Sequence, residues 1–236
     1  MQPIDTSLVE IATPTGRARV NKANAFRVTL PNREGASPVG IAYEDVGVYM
    51  SPQGRPFELP VHGARVETTA TPVAGDARSR TYAGAYQGAD IVYTSVARGL
   101  KETIVLNSYQ GRSTFSFDMS CPGLTPSLET STSIVFTRDT TGAVVFRMVP
   151  PYMEDSSKNE YGDPAESTDV FYRLQRTGSK WRLDLVADQK WLADPARVYP
   201  IMIDPTTYWE GSAGLWDTDV YSLTPPTNFG TRAYVM

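Results

Sequence analysis

Apolar and polar residues alternate one by one along most of this chain, a period that fits extended strands with one buried face. "STFSFDMS" puts Phe115, Phe117 and Met119 on one face and Ser116 and Asp118 on the other. "ADIVYTSVARGLKETIVL" reads as two such strands around a turn at Ala97 to Gly99. "SIVFTRDTTGAVVFRMV" and "TDVFYRLQRTGSKWRLDLV" repeat the shape around Asp139 to Gly142 and Arg176 to Lys180. Each of these loops carries a glycine able to take the positive φ that tight hairpins need. Consecutive hairpins build antiparallel sheet. The one helix candidate runs from Ala187 to Asp194 and is stopped by Pro195.

With 236 residues the chain can bury a substantial core, as one large unit or two smaller ones. The expected fold is all-β, an antiparallel β-sandwich, with a subdivision into two packed β subdomains near residue 85 left open. Pro31, Pro38, Pro52, Pro56, Pro60 and Pro72 punctuate the first third and confine its strands to short or edge positions. Residues 190–204 read as a fastening element: Trp191 and Leu192 cap the open end of the core, and Tyr199, Ile201 and Ile203 return the chain into a sheet. The expected boundaries are a sandwich over residues 1–206, a linker over 207–216 and the start of a further β module over 217–236. Gly211, Ser212, Ala213 and Gly214 mark the linker. The final stretch begins as a strand, turns at Pro225 and Pro226 and enters a second segment, and a strand without partners exposes its backbone ladder.

Several function classes find no support in the residues. Net charge is -4 and the 22 basic residues are scattered, which argues against a nucleic-acid groove or an anionic membrane surface. No stretch approaches the ~20 apolar residues of a membrane span. The single cysteine, Cys121, permits no intrachain disulfide and reads as a small, partly buried side chain. His62 is the only histidine, and no G-x-S-x-G turn accompanies it, so no catalytic set is assigned and no enzyme is expected. Lys101 and Glu102 are neighbours on a strand, hence on opposite faces, each solvated or paired across strands.

Two clusters remain as binding candidates. The loop "YMEDSSKNEYGDPAESTD" offers Glu154, Asp155, Glu160 and Asp163 as oxygen ligands for calcium, the only cofactor the sequence suggests, beside the reading of a solvated loop. Tyr208, Trp209, Trp216 and Tyr221 cluster near the expected boundary. They read either as stacking surfaces for a glycan or as apolar packing between modules.

"QPIDTSLVE", "YQGADIVYTSVARGLKETIVLNS", "VPPYMEDS" and "KWLADPARVYPIMIDPTT" occur in that order between Gln2 and Thr207. Together they resemble the β-rich leader module of actinobacterial DNRLRE-domain and Rhs (YD-repeat, teneurin-like) wall-associated secreted proteins. "DTDVYSLTPPTNFGT" resembles the opening of a DNRLRE module. The resemblance implies a non-catalytic structural module of a large extracellular or cell-wall-associated protein, with neighbouring β modules of the same parent chain as partners. A carbohydrate-binding module facing cell-wall or extracellular polysaccharide is the alternative, and a glycan-active hydrolase the third reading. Neither nucleic acid nor membrane insertion is expected.

Overall fold

The computed structural model describes residues 3–14, 16–34, 38–53 and 68–211. In chain order the strands are β1 (Asp5–Thr13), β2 (Gly16–Ala23), β3 (Arg27–Pro31), β4 (Arg33–Glu34), β5 (Val39–Tyr43) and β6 (Val46–Pro52). There follow β7 (Thr68–Val73), β8 (Asp76–Tyr86), β9 (Ala89–Val96), β10 (Gly99–Leu106), β11 (Thr114–Ser120), β12 (Leu124–Thr130), β13 (Ser133–Arg138) and β14 (Val144–Met148). The last group is β15 (Tyr152–Glu154), β16 (Glu166–Ser167), β17 (Val170–Thr177), β18 (Lys180–Ala187), the helix α1 (Gln189–Ala193), β19 (Ile201–Asp204) and β20 (Thr206–Trp209).

They form two antiparallel sheets. One has the order β1-β2-β3-β5-β6-β11-β18-β17. The other runs β12-β13-β14-β20-β10-β9-β8-β7-β4, with β19 on β10, β15 on β19 and β16 on β15. The expected all-β sandwich is therefore the observed architecture. Residues on either side of position 85 share a sheet, because β6 pairs with β11 through Met50 and Met119.

The alternation places the core where the sequence suggests. Phe115, Phe117 and Met119 from one sheet meet Ile91, Tyr93, Leu100, Ile104 and Leu106 from the other in one apolar cluster. Tyrosines bolt the sheets together, since each brings an apolar ring and a hydroxyl that needs a partner once buried. The ring of Tyr86 meets Phe115 edge-on at 5.3 Å. Its hydroxyl donates to Ser116 O at 2.7 Å, and Tyr82 donates to Pro31 O at 2.7 Å. Tyr172 does the same to Val149 O at 3.0 Å.

Proline marks strand ends and edges. Pro31 and Pro52 close β3 and β6, and Pro72 sits at an irregularity between β7 and β8. Gly99 has another duty: a Cβ there would lie 2.0 Å from Thr207 O, so the close approach of β10 to β20 requires a residue without one.

The fastening element folds as the sequence suggests. Asp188 caps α1 by accepting from the backbone N–H groups of Lys190 and Trp191. Leu192, Ile201 and Ile203 are fully buried, and Tyr199 Oη donates to Leu192 O at 2.6 Å. One boundary differs from expectation. Thr207 to Trp209, the first residues assigned to a linker, belong with Thr206 to β20, which pairs with both β10 and β14. Pro205 interrupts the ladder for one residue, and the β-branched Thr206 and Thr207 resume it.

Candidate functional site

Two carboxylates organise the polar chemistry of the described residues. The first is Asp155, which follows β15 and is 1% exposed. Its Oδ1 accepts from Ser157 N at 3.0 Å, Ser157 Oγ at 2.5 Å and Ala165 N at 3.1 Å. Its Oδ2 accepts from Val198 N at 3.2 Å and lies 3.3 Å from Arg197 Nη1. Arg197 in turn lies over the Trp191 ring at 4.8 Å. Burial alone would raise the Asp155 pKa, but the bonds from Ser157, Val198 and Ala165 outweigh it and hold the carboxyl below the usual aspartate range.

The second centre sits on the outer face of the larger sheet, where β10, β15, β16, β19 and β20 meet. Side chains of β10 alternate, so Leu100, Glu102 and Ile104 enter the core while Lys101 points away. Lys101 Nζ lies 2.7 Å from Asp204 Oδ2, with the two side chains 17% and 5% exposed. Tyr152 Oη donates to the same oxygen at 3.2 Å, and Thr206 Oγ1 donates to Oδ1 at 2.7 Å. Glu154 stands opposite Met202 and Glu166 in the ladders. Burial raises its pKa; Lys101 opposes the shift, and Glu166 and Asp204 reinforce it. Burial, then the charges of Asp204 and Glu154, push the Tyr152 phenol upward too. The cluster thus joins a cation, a phenol and a carboxyl that holds its proton more tightly than usual.

The four candidate calcium ligands do not converge. Asp155 spends its oxygens on backbone N–H groups and Arg197, while Glu154 belongs to the neighbouring cluster on the sheet face. Asp163 closes a turn with Asn159, whose Oδ1 accepts from Asp163 N at 2.9 Å, and Glu160 is exposed. Among the described residues no group of three or more His, Cys, Asp or Glu side chains could hold a metal ion.

Of the aromatic set, Trp209 packs on Tyr43 at 5.1 Å and Phe26 at 5.8 Å, and Tyr208 lies under the Arg98 guanidinium at 5.9 Å. Trp216, Tyr221 and His62 lie outside the described residues. Cys121 is half-buried and its thiol is pushed up to about 12, by burial first and by Asp139 second. Glu102, expected to be solvated or paired across strands, is 2% exposed and stands opposite Tyr93 on the core face. The pairing of Lys101 with Asp204 is the feature that sequence spacing missed, since no local signal links residues so far apart along the chain.

Fold and site together define an all-β sandwich with a sheltered lysine–carboxylate cluster on one sheet face. Its sequence is similar to that of three curated proteins. These are the tRNA nuclease WapA of Bacillus subtilis, the tRNA(Glu)-specific nuclease WapA of Bacillus subtilis subsp. natto and the tRNA3(Ser)-specific nuclease WapA of Bacillus spizizenii. Each is 35% identical over 159 residues, which is 67% of this chain. The chain spans 7% of the length of these relatives. No family model matches the chain, and no solved structure matches it.

These findings correct the functional expectations. The resemblance to the leader module of DNRLRE-domain and YD-repeat wall-associated proteins gives way to a measured similarity to proteins named as tRNA nucleases. The same names overturn the non-catalytic structural role, the carbohydrate-binding alternative, the glycan-active hydrolase and the expectation of no enzyme. They also overturn the exclusion of nucleic acid. That exclusion rested on the net charge and on the scatter of the basic residues along the sequence, neither of which fixes where cations stand together on a folded surface.

Proposed function

We propose that this chain works as part of a nuclease that cleaves tRNA. The observation that carries the reading is the 35% identity, over 159 residues, to three proteins each named for that activity. Because the matched relatives are far longer than this chain, cleavage is assigned to the whole polypeptide. A tRNA nuclease endangers the cell that makes it unless it is kept away from that cell's own tRNA, so the polypeptide is assigned a location outside the cell that makes it.

We assign the contact with an RNA backbone to the hairpin of β17 and β18, which carries exposed cations on both faces and at its turn. Arg173 is exposed over Phe171 at 5.2 Å on one face of the hairpin, and Arg176, three residues on and so on the other face, is exposed over Trp181 at 5.5 Å. Lys180, at the turn, is exposed as well. Cations held against rings present flat positive surfaces to phosphates and bases. The test is to express the complete reading frame containing this chain and incubate the purified protein with total tRNA. Discrete tRNA fragments on a denaturing gel are expected, with tighter substrate binding than in a protein carrying Arg173→Ala, Arg176→Ala and Lys180→Ala. Intact tRNA, under conditions in which a control nuclease cuts it, overturns the reading.

A further inference from the structure

We propose that Lys101 and Asp204 join covalently, the lysine amine condensing with the aspartate carboxyl to form an amide that links β10 to the junction of β19 and β20. The geometry carries the proposal. Nζ lies 2.7 Å from Oδ2, and both side chains are largely sheltered. The backbone fixes both ends of the contact: β10 pairs with β20 at Lys101 and Thr206, and with β19 at Ile104 and Ile203. Asp204 lies between these two ladders. Groups held this way react with the advantage of a unimolecular step.

The neighbours supply what the condensation needs. To attack, the amine must first give up a proton, and the Asp204 carboxylate at 2.7 Å is placed to accept it. The amine lone pair then attacks Cγ. Negative charge develops on the carboxyl oxygens, and donors already face both of them, Tyr152 Oη on Oδ2 and Thr206 Oγ1 on Oδ1. Glu154 shares a sheet face with Tyr152, which stands opposite Asp204 in the ladder, and to this neighbouring carboxyl we assign the relay of protons between amine and departing oxygen. The N–Cγ bond forms and one Cγ–O bond breaks. The ammonium surrenders two protons to the oxygen, which leaves as water; charge balances, and no oxidant or reductant takes part.

A competing dehydration is closed at this position. An aspartyl side chain commonly loses water by cyclising onto the next backbone nitrogen, but residue 205 is proline and has no N–H. Water lost from Asp204 therefore reports attack by another amine, and Lys101 is in contact.

The experiment is intact-mass measurement of the purified 236-residue chain under denaturing conditions, followed by protease mapping. The expected result is a mass lower by one water than the sum of the residues, and a branched peptide joining the Lys101 and Asp204 segments. Lys101→Arg keeps the charge pair without the nucleophile and should show the full, unreduced mass. Glu154→Gln removes the proton relay while keeping its size and should leave a mixture in which the unreduced mass dominates. A wild-type chain at full mass with an unmodified Lys101 peptide overturns the proposal, and so does a water loss mapped elsewhere. The wild-type measurement decides even if a variant fails to fold.

Discussion

Replacing Asp155 by alanine is the most demanding test of how the late part of the chain is held together. The side chain accepts three backbone N–H groups, from Ser157, Ala165 and Val198, and one hydroxyl, and it faces Arg197. Truncation leaves those donors without their acceptor and Arg197 beside an empty position. Breaking a buried pair while leaving its partner in place costs about 3–5 kcal/mol. For a domain of this size that corresponds to roughly 6–20 °C in Tm, at about 2–4 °C per kcal/mol. Asp155→Asn should fall between the two. It can keep the oxygen that serves Ser157 and Ala165, but it places an amide N–H against Val198 N–H and Arg197.

Tryptophan fluorescence during urea and thermal unfolding reads these differences, and Trp191, under Arg197, sits close to the perturbation. The pH dependence has a definite sign. The folded-state pKa of Asp155 is depressed, so its stabilisation is complete above the ordinary aspartate value of about 3.9 and is lost as pH falls through the lowered folded value. The gap between wild type and Asp155→Asn should thus be widest near neutrality and shrink in acid. A variant Asp155→Ala that unfolds within about 1 kcal/mol of wild type would refute the reasoning, because a cost that small is what a solvated surface pair gives.

Two further outcomes follow from single positions. Cys121, with its thiol pushed up to about 12, should resist alkylation in the native protein at neutral pH and react promptly once urea unfolds it; rapid native labelling would contradict its sheltered placement. Gly99→Val should destabilise the sandwich severely or prevent folding, since its Cβ would meet a backbone oxygen at 2.0 Å; a soluble variant with wild-type Tm would refute the close approach of β10 and β20.

The parts of the fold that could be read from the sequence share one physical property: their signal is local. Alternation in β11 gave the core face of Phe115, Phe117 and Met119, and the glycine-bearing turns gave the hairpins β9–β10, β13–β14 and β17–β18. The short helix, the apolar residues and the returning strand of residues 187–204 could be read for the same reason, while the cap by Asp188 was not. What could not be read depends on partners distant along the chain. Thr206 to Trp209 look like the approach to a glycine-rich linker until β10 and β14 are seen on either side. The acidic loop suggests a cation only while the acceptors' partners are unknown. Asp155 is satisfied by N–H groups from two different segments, a solution as good for a carboxylate as a metal and invisible in a list of acids.

Charge shows the same limit at a larger scale. Lys101 and Glu102 are adjacent in sequence and contribute opposite signs to one sum, yet one lies in a polar cluster outside the sheet and the other faces the core beside Tyr93. Tyr172 registers Glu102 through the core: burial raises its phenol first, and Glu102 adds to the shift. A net charge of -4 averages over such environments, and it averages as well over the exposed hairpin cations Arg173, Arg176 and Lys180. Recognition of a polyanion depends on where cations stand and what they stand against, because the interaction is screened within about 10 Å at ordinary ionic strength. An acidic total is therefore compatible with a nucleic-acid surface a few side chains wide. Neutralising Arg173, Arg176 and Lys180 together, with the total shifting further to the acidic side, separates local from global charge: weaker tRNA binding accompanied by a shallower salt dependence assigns the contact to the hairpin.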